Sequence, residues 1–86
     1  MSEVEKILYK LGYGISDPHK AQEIQGYIDE AEEFMKSQGI DESKIKTSTA
    51  YVIKSIWATY RDQGEDEAIL KKEGMIVHLI FDLRRR

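Results

Sequence analysis

Apolar residues recur at helical spacing in four stretches of the chain, each with polar residues on the opposite side. In the first, Val4, Ile7, Leu8 and Leu11 make one stripe, and Glu3, Glu5, Lys6 and Lys10 are expected to face outward. Ser2 supplies an N-cap, and Glu5 stands three residues on, where a capping-box carboxylate reaches back. Gly12 and Gly14 predict the stop and a flexible linker over Gly12 to Ser16.

The second helix opens at Asp17-Pro18, an N-cap acceptor before a residue whose fixed φ suits the first helical turn. Ile24, Tyr27, Ile28, Ala31, Phe34 and Met35 share one face, opposite Gln25, Asp29, Glu30, Glu32, Glu33 and Lys36, and Gly39 is the natural terminator. Gly26 costs this helix up to about 1 kcal/mol relative to Ala. It marks either a close approach by another helix or a tolerated loss.

Residues 41–43 predict a capped short turn carrying Ile45, and Thr47 or Ser48 restarts the helix. From about Thr49, Ala50, Val52, Ile53, Ile56, Trp57 and Tyr60 form a broad apolar face, with Lys54, Ser55, Thr59 and Arg61 around it. Alternation fails at Ile56-Trp57, which argues against a strand. An acidic break over 63–67 follows, then a short extended or helical piece near residues 66–72. Ile76, Leu79, Ile80 and Leu83 predict a last helix over 75–83, and Met75, Val77 and Phe81 carry apolar surface well round its axis. A buried strand over 75–81 is the alternative, since short apolar runs are ambiguous. These elements predict an all-α, single-domain bundle of about four helices: residues 1–16 the first helix and linker, 17–63 a central pair, 64–86 the acidic loop and last helix.

Composition narrows the chemistry. The chain has 86 residues and no Cys, so disulfides and thiolate zinc sites are excluded. A chain this short has a thin core and leans on packing or association. No run is long and apolar enough for a membrane span, and the N-terminus lacks the pattern of a secretory signal, so cytoplasmic synthesis without a membrane partner is expected. Thirteen Lys and Arg against 16 Asp and Glu give a net charge of −3, which does not attract nucleic acid as a whole. The dense basic cluster is Arg84, Arg85 and Arg86.

Candidate chemistry is sparse. His19 and His78 stand in different elements without carboxylates at metal-ligand spacing, and no Ser or Thr has a nucleophile's surroundings. Asp29, Glu30, Glu32 and Glu33 read as a solvated face, because catalytic carboxylates need a pocket that separates their pKa values. No enzyme, cofactor or metal is expected. A helix-turn-helix over 17–38 and 47–63 is the alternative, with Lys54 and Arg61 as its cations.

Two segments carry a family resemblance. Ile24-Gln-Gly-Tyr-Ile-Asp-Glu-Ala-Glu-Glu-Phe-Met and Ala50-Tyr-Val-Ile-Lys-Ser-Ile-Trp-Ala-Thr-Tyr-Arg-Asp, with the closing Gly74 to Arg86, resemble the helices of the phage head-tail connector family, small helical adaptors beneath the portal of tailed bacteriophages. The likeness runs over roughly Asp17 to Arg86; the Gly-Tyr-Gly linker and the Asp17-Pro-His-Lys start depart from the family pattern. The resemblance implies a ring of about a dozen copies of the chain. It also implies a portal partner, a downstream tail-completion partner and DNA that passes without specific binding, at the head-tail junction of a virion assembled in a bacterial cytoplasm. The apolar faces of the two central helices make Ile24, Tyr27, Ile28, Ala31, Phe34, Val52, Ile53, Ile56, Trp57 and Tyr60 the expected core. Met75, Val77, Phe81 and Arg84 are the candidate interface between copies or with a partner, and Asp29, Glu30 and Glu33 are candidates to face the channel.

Overall fold

A computed structural model describes residues 2–14 and 17–86. The described residues are all-α: α1 (Glu3–Lys10), α2 (Pro18–Ser37), α3 (Glu42–Ile45), α4 (Ser48–Asp62), α5 (Glu67–Leu70) and α6 (Gly74–Arg85). The four longer helices are the four expected from periodicity. Residues 66–72 hold a helical turn rather than an extended piece, because Asp66 caps it by accepting from Ile69 N–H at 3.2 Å. The stretch 75–81 is helix, not strand, capped by Glu73, which accepts from Ile76 N–H at 2.9 Å.

The caps act as the sequence implied. Ser2 and Glu5 close a reciprocal capping box at 3.2 and 3.0 Å. Asp17 accepts from the N–H groups of both His19 and Lys20 at 3.1 Å, and Pro18 follows it. At the other end of α2, Gly39 adopts φ +82°, the left-handed region that glycine enters without penalty. Gly39 and Ile40 N–H then return to Lys36 and Met35 carbonyls, a Schellman closure that buries Ile40 beside Met35. Gly12 and Gly64 close α1 and α4 in the same way.

The central pair is α2 against α4, with α1 packed on both and α6 packed on α4. Two apolar clusters result. The larger joins Ala31, Met35, Ile53 and Trp57 to Leu70, Ile76, Ile80 and Leu83; the smaller joins Ile7 and Leu8 to Ile24, Ile28 and Ala58. Tyr27 packs against both.

Several expectations are corrected. Val52 is 44% exposed and not core, while Lys54, Ser55 and Ala58 are buried in its place. The buried arc of α4 is turned toward α1, which lies over the side that carries the small residues. Tyr27, Phe34, Ile56 and Tyr60 are partly buried at the margins. A Cβ on Gly26 would meet nothing within 4 Å, so no helix approaches it closely. The expected flexible linker lies partly at 15–16, outside the described residues, but Tyr13 is held: its hydroxyl donates to Asp62 Oδ2 at 2.8 Å.

Candidate interaction surface

Polar side chains between the helices are spent on holding them together. Lys54 Nζ, on a side chain only 1% exposed, lies 3.1 Å from Glu3 Oε1 and 3.0 Å from Glu32 Oε2, joining α4 to α1 and α2. Lys10 Nζ donates to Ser55 Oγ at 3.1 Å, a second tie between α1 and α4. Glu30 Oε1 accepts from Trp57 Nε1 at 3.1 Å and Arg61 Nε at 2.9 Å, and its Oε2 accepts from Arg61 at 3.2 Å. The Arg61 guanidinium stacks over Tyr27, 5.0 Å from the ring centre. Lys20 Nζ, 2.7 Å from Asp62 Oδ1, completes a third group with Tyr13.

The electrostatics agree with that structural role. Burial is the largest single influence on the Glu30 and Asp62 carboxyls and pushes them up, but the paired donors together outweigh it and leave both below the usual carboxylate range. Lys20 is raised, chiefly by Asp62.

These contacts revise the expected sites. Two of the four clustered carboxylates, Glu30 and Glu32, are turned into internal ion pairs rather than forming one solvated face. Glu30 is partly buried and held by Arg61, whereas Asp29 and Glu33 are exposed. Neither cation of the supposed recognition helix is open to a groove, since Lys54 is enclosed and Arg61 is held by Glu30. His19 and His78 are exposed on separate helices, and among the described residues no group of three or more His, Cys, Asp or Glu is placed to hold a metal ion. No helix among them is long and apolar enough to cross a membrane.

What remains on the outside is an uneven surface along α2, α5 and α6. A groove of about 550 Å³ runs over Gly26, Asp29, Glu33 and Phe34 on α2 to Glu67 and Lys71. Beside it, Phe34 and Gln38 meet Lys71, Val77, Phe81 and Arg84 around a crevice of about 90 Å³. Val77 is 47% and Phe81 57% exposed, and Arg85 stacks 5.5 Å from the centre of the Phe81 ring.

The candidate interface splits at this point. Val77, Phe81 and Arg84 share the crevice. Met75 is 53% exposed, but at about 100° per residue it projects about 160° away from Val77, on the other flank of α6. Reading the helix as one apolar surface missed this division, although the spacing of residues 75, 77, 81 and 84 contains it.

The polar clamps were the larger omission from the sequence reading. Their signal was faint: Ser55 and Ala58, small residues three apart on a helix otherwise rich in large ones, mark where α1 approaches α4. Comparison with family models, with curated proteins and with solved structures returns no match for the chain.

Proposed function

We propose that this chain is a structural adaptor that acts by docking its α2–α6 face on other protein copies, in the specific form of a head-tail connector of a tailed phage or prophage. The observation that carries the reading is the pair Val77 and Phe81, two large apolar side chains on one flank of α6, about half exposed beside Arg84 and Lys71. Contiguous apolar surface with a polar rim is the usual mark of a protein-binding site. The internal ion pairs support the same reading, because they leave the interior groups holding helices rather than facing a substrate.

The connector form rests on the resemblance of the two central helices and the last helix. In that form the copies form a ring on the portal, and the exposed carboxylates Asp29 and Glu33 suit a passage that must not grip DNA. The portal protein and the tail-completion protein of the same genome are the partners to test.

The test mixes the purified chain with that portal protein and images the product by negative stain. A ring of added density beneath the portal, lost with Phe81→Asp, is the expected result. A chain that ignores the portal and instead shifts duplex DNA in a salt-sensitive way overturns the connector reading.

A further inference from the structure

Three of the helices end in one kind of closure. Gly12, Gly39 and Gly64 take positive φ, and the residue after each returns its N–H to a carbonyl five residues back: Tyr13 to Leu8 at 2.9 Å, Ile40 to Met35 at 3.1 Å and Glu65 to Tyr60 at 3.0 Å. In this motif the returning residue commonly lays an apolar side chain against the helix it has just left. Tyr13 packs on the cluster that holds Leu8, and Ile40 is buried with Met35. At the third closure the returning residue is a glutamate.

The slot that an apolar side chain would fill there stays open. A pocket of about 170 Å³ lies among Tyr60, Glu65, Ile69, Leu70 and Glu73. A cavity of about 150 Å³ is enough to hold a benzene ring. Its apolar side is made by Tyr60, the buried Leu70 and Ile69, which is 53% exposed. Its walls are fixed by backbone bonds: Lys72 N–H returns to the Ile69 carbonyl and Glu73 N–H to the Leu70 carbonyl, each at 3.1 Å, while Asp66 and Glu73 cap α5 and α6. The charged lining is acidic throughout. Among the described residues neither Glu65 nor Glu73 is in an ion pair, and Arg61, which donates to the Glu65 backbone carbonyl, is already paired with the Glu30 carboxylate.

We infer that this pocket is a docking site for a segment of a partner protein that carries an aromatic side chain next to an arginine or lysine. The ring takes the position that Tyr13 and Ile40 fill at the other two closures, and the cation meets Glu65 and Glu73 at the rim. An acidic segment is repelled by the same two carboxylates. The pocket shares no lining residue with the groove or the crevice of the α2–α6 face, so it is a second contact point and stands whether or not that face docks on a portal.

The probe is the acetylated, amidated dipeptide Phe-Arg, titrated into the isotope-labelled full chain and followed by its amide NMR signals. Those of Tyr60, Glu65, Ile69 and Leu70 are expected to move and saturate. The dipeptide Phe-Glu is expected to bind about two- to five-fold more weakly, the range of one exposed ion pair, and Ala-Arg to leave the signals in place. Glu65→Leu fills the slot from within the chain, so it is expected to raise the thermal midpoint and to abolish the shifts. Glu65→Gln leaves the slot open and is expected only to weaken Phe-Arg binding. Signals that do not move, equal binding of Phe-Arg and Phe-Glu, or shifts that survive Glu65→Leu overturn the inference. So does movement of the same signals when the chain alone is concentrated, if Phe81→Asp removes it, because the occupant would then be Phe81 of another copy.

Discussion

The Trp57 indole N–H donates to Glu30 Oε1 at 3.1 Å, and through that bond the largest buried side chain of α4 is tied to a carboxylate on α2. The same carboxylate holds Arg61 through both oxygens, so one side chain completes the hydrogen bonding of a fully buried indole and a partly buried guanidinium. Glu30→Ala leaves both donors short of a partner. An unsatisfied buried polar group costs about 1–3 kcal/mol, and the urea midpoint is expected to fall accordingly. In a Trp57→Phe background, where the indole donor is gone, the further loss on Glu30→Ala is expected to be smaller. Equal losses in the two backgrounds would show that the bond contributes nothing of its own.

Lys54 makes an asymmetric prediction. Its side chain is enclosed, but its partners Glu3 and Glu32 are 38% and 31% exposed. Replacing the lysine by Met therefore leaves two carboxylates that water still reaches. Replacing both glutamates by Ala strands an enclosed ammonium, and breaking a buried pair in that sense costs about 3–5 kcal/mol. Denaturant unfolding of Lys54→Met and of the Glu3→Ala, Glu32→Ala variant is expected to show the second as clearly the less stable. The reverse order would mean that the ammonium, not the carboxylates, is the solvated partner.

That pair also shows what could and could not be read from sequence. Helix positions followed from apolar spacing and caps, because Ser2, Asp17 and Gly39 act within one or two turns of themselves. Lys54 and Val52 were assigned to the wrong sides of α4 for a different reason. Periodicity identifies a face only relative to one neighbour, and α4 has neighbours in α1, α2 and α6. Which polar residues become enclosed depends on where α1 lands, a contact between segments some fifty positions apart that no local pattern encodes. The apolar excess of α6 was legible, and so was its division between Met75 on one flank and Val77 with Phe81 on the other; which flank borders α2 and Lys71 depended on how the helices pack.

Gly26 lies in a helix interior with open space where a Cβ would stand. Nothing in the fold requires glycine there, so the entropy it costs is recoverable. Gly26→Ala is expected to stabilise the chain by up to about 1 kcal/mol, read as a rise in the thermal midpoint with unchanged spectra. A fall instead would show that the groove beside Asp29 and Glu33 needs the missing side chain.

Acid sensitivity follows from Glu30 and Asp62. Both carboxyls are held below their ordinary range in the folded chain: burial pushes each up, but Arg61 and Trp57 outweigh it at Glu30, and Lys20 and Tyr13 outweigh it at Asp62. In the unfolded chain they return to about 4. The unfolded state then binds more protons than the folded one as pH falls through that value. The stability these groups contribute is present above about pH 5 and is lost progressively below it. Urea midpoints measured from pH 7 to pH 3 are expected to fall on the acid side. Glu30→Gln with Asp62→Asn is expected to be less stable than the wild type at pH 7 yet to lose less on acidification, so that the two curves draw together as pH falls. If the doubly substituted chain falls as steeply as the wild type, the acid sensitivity belongs to other carboxylates, with Glu3 and Glu32 around Lys54 the next pair to substitute.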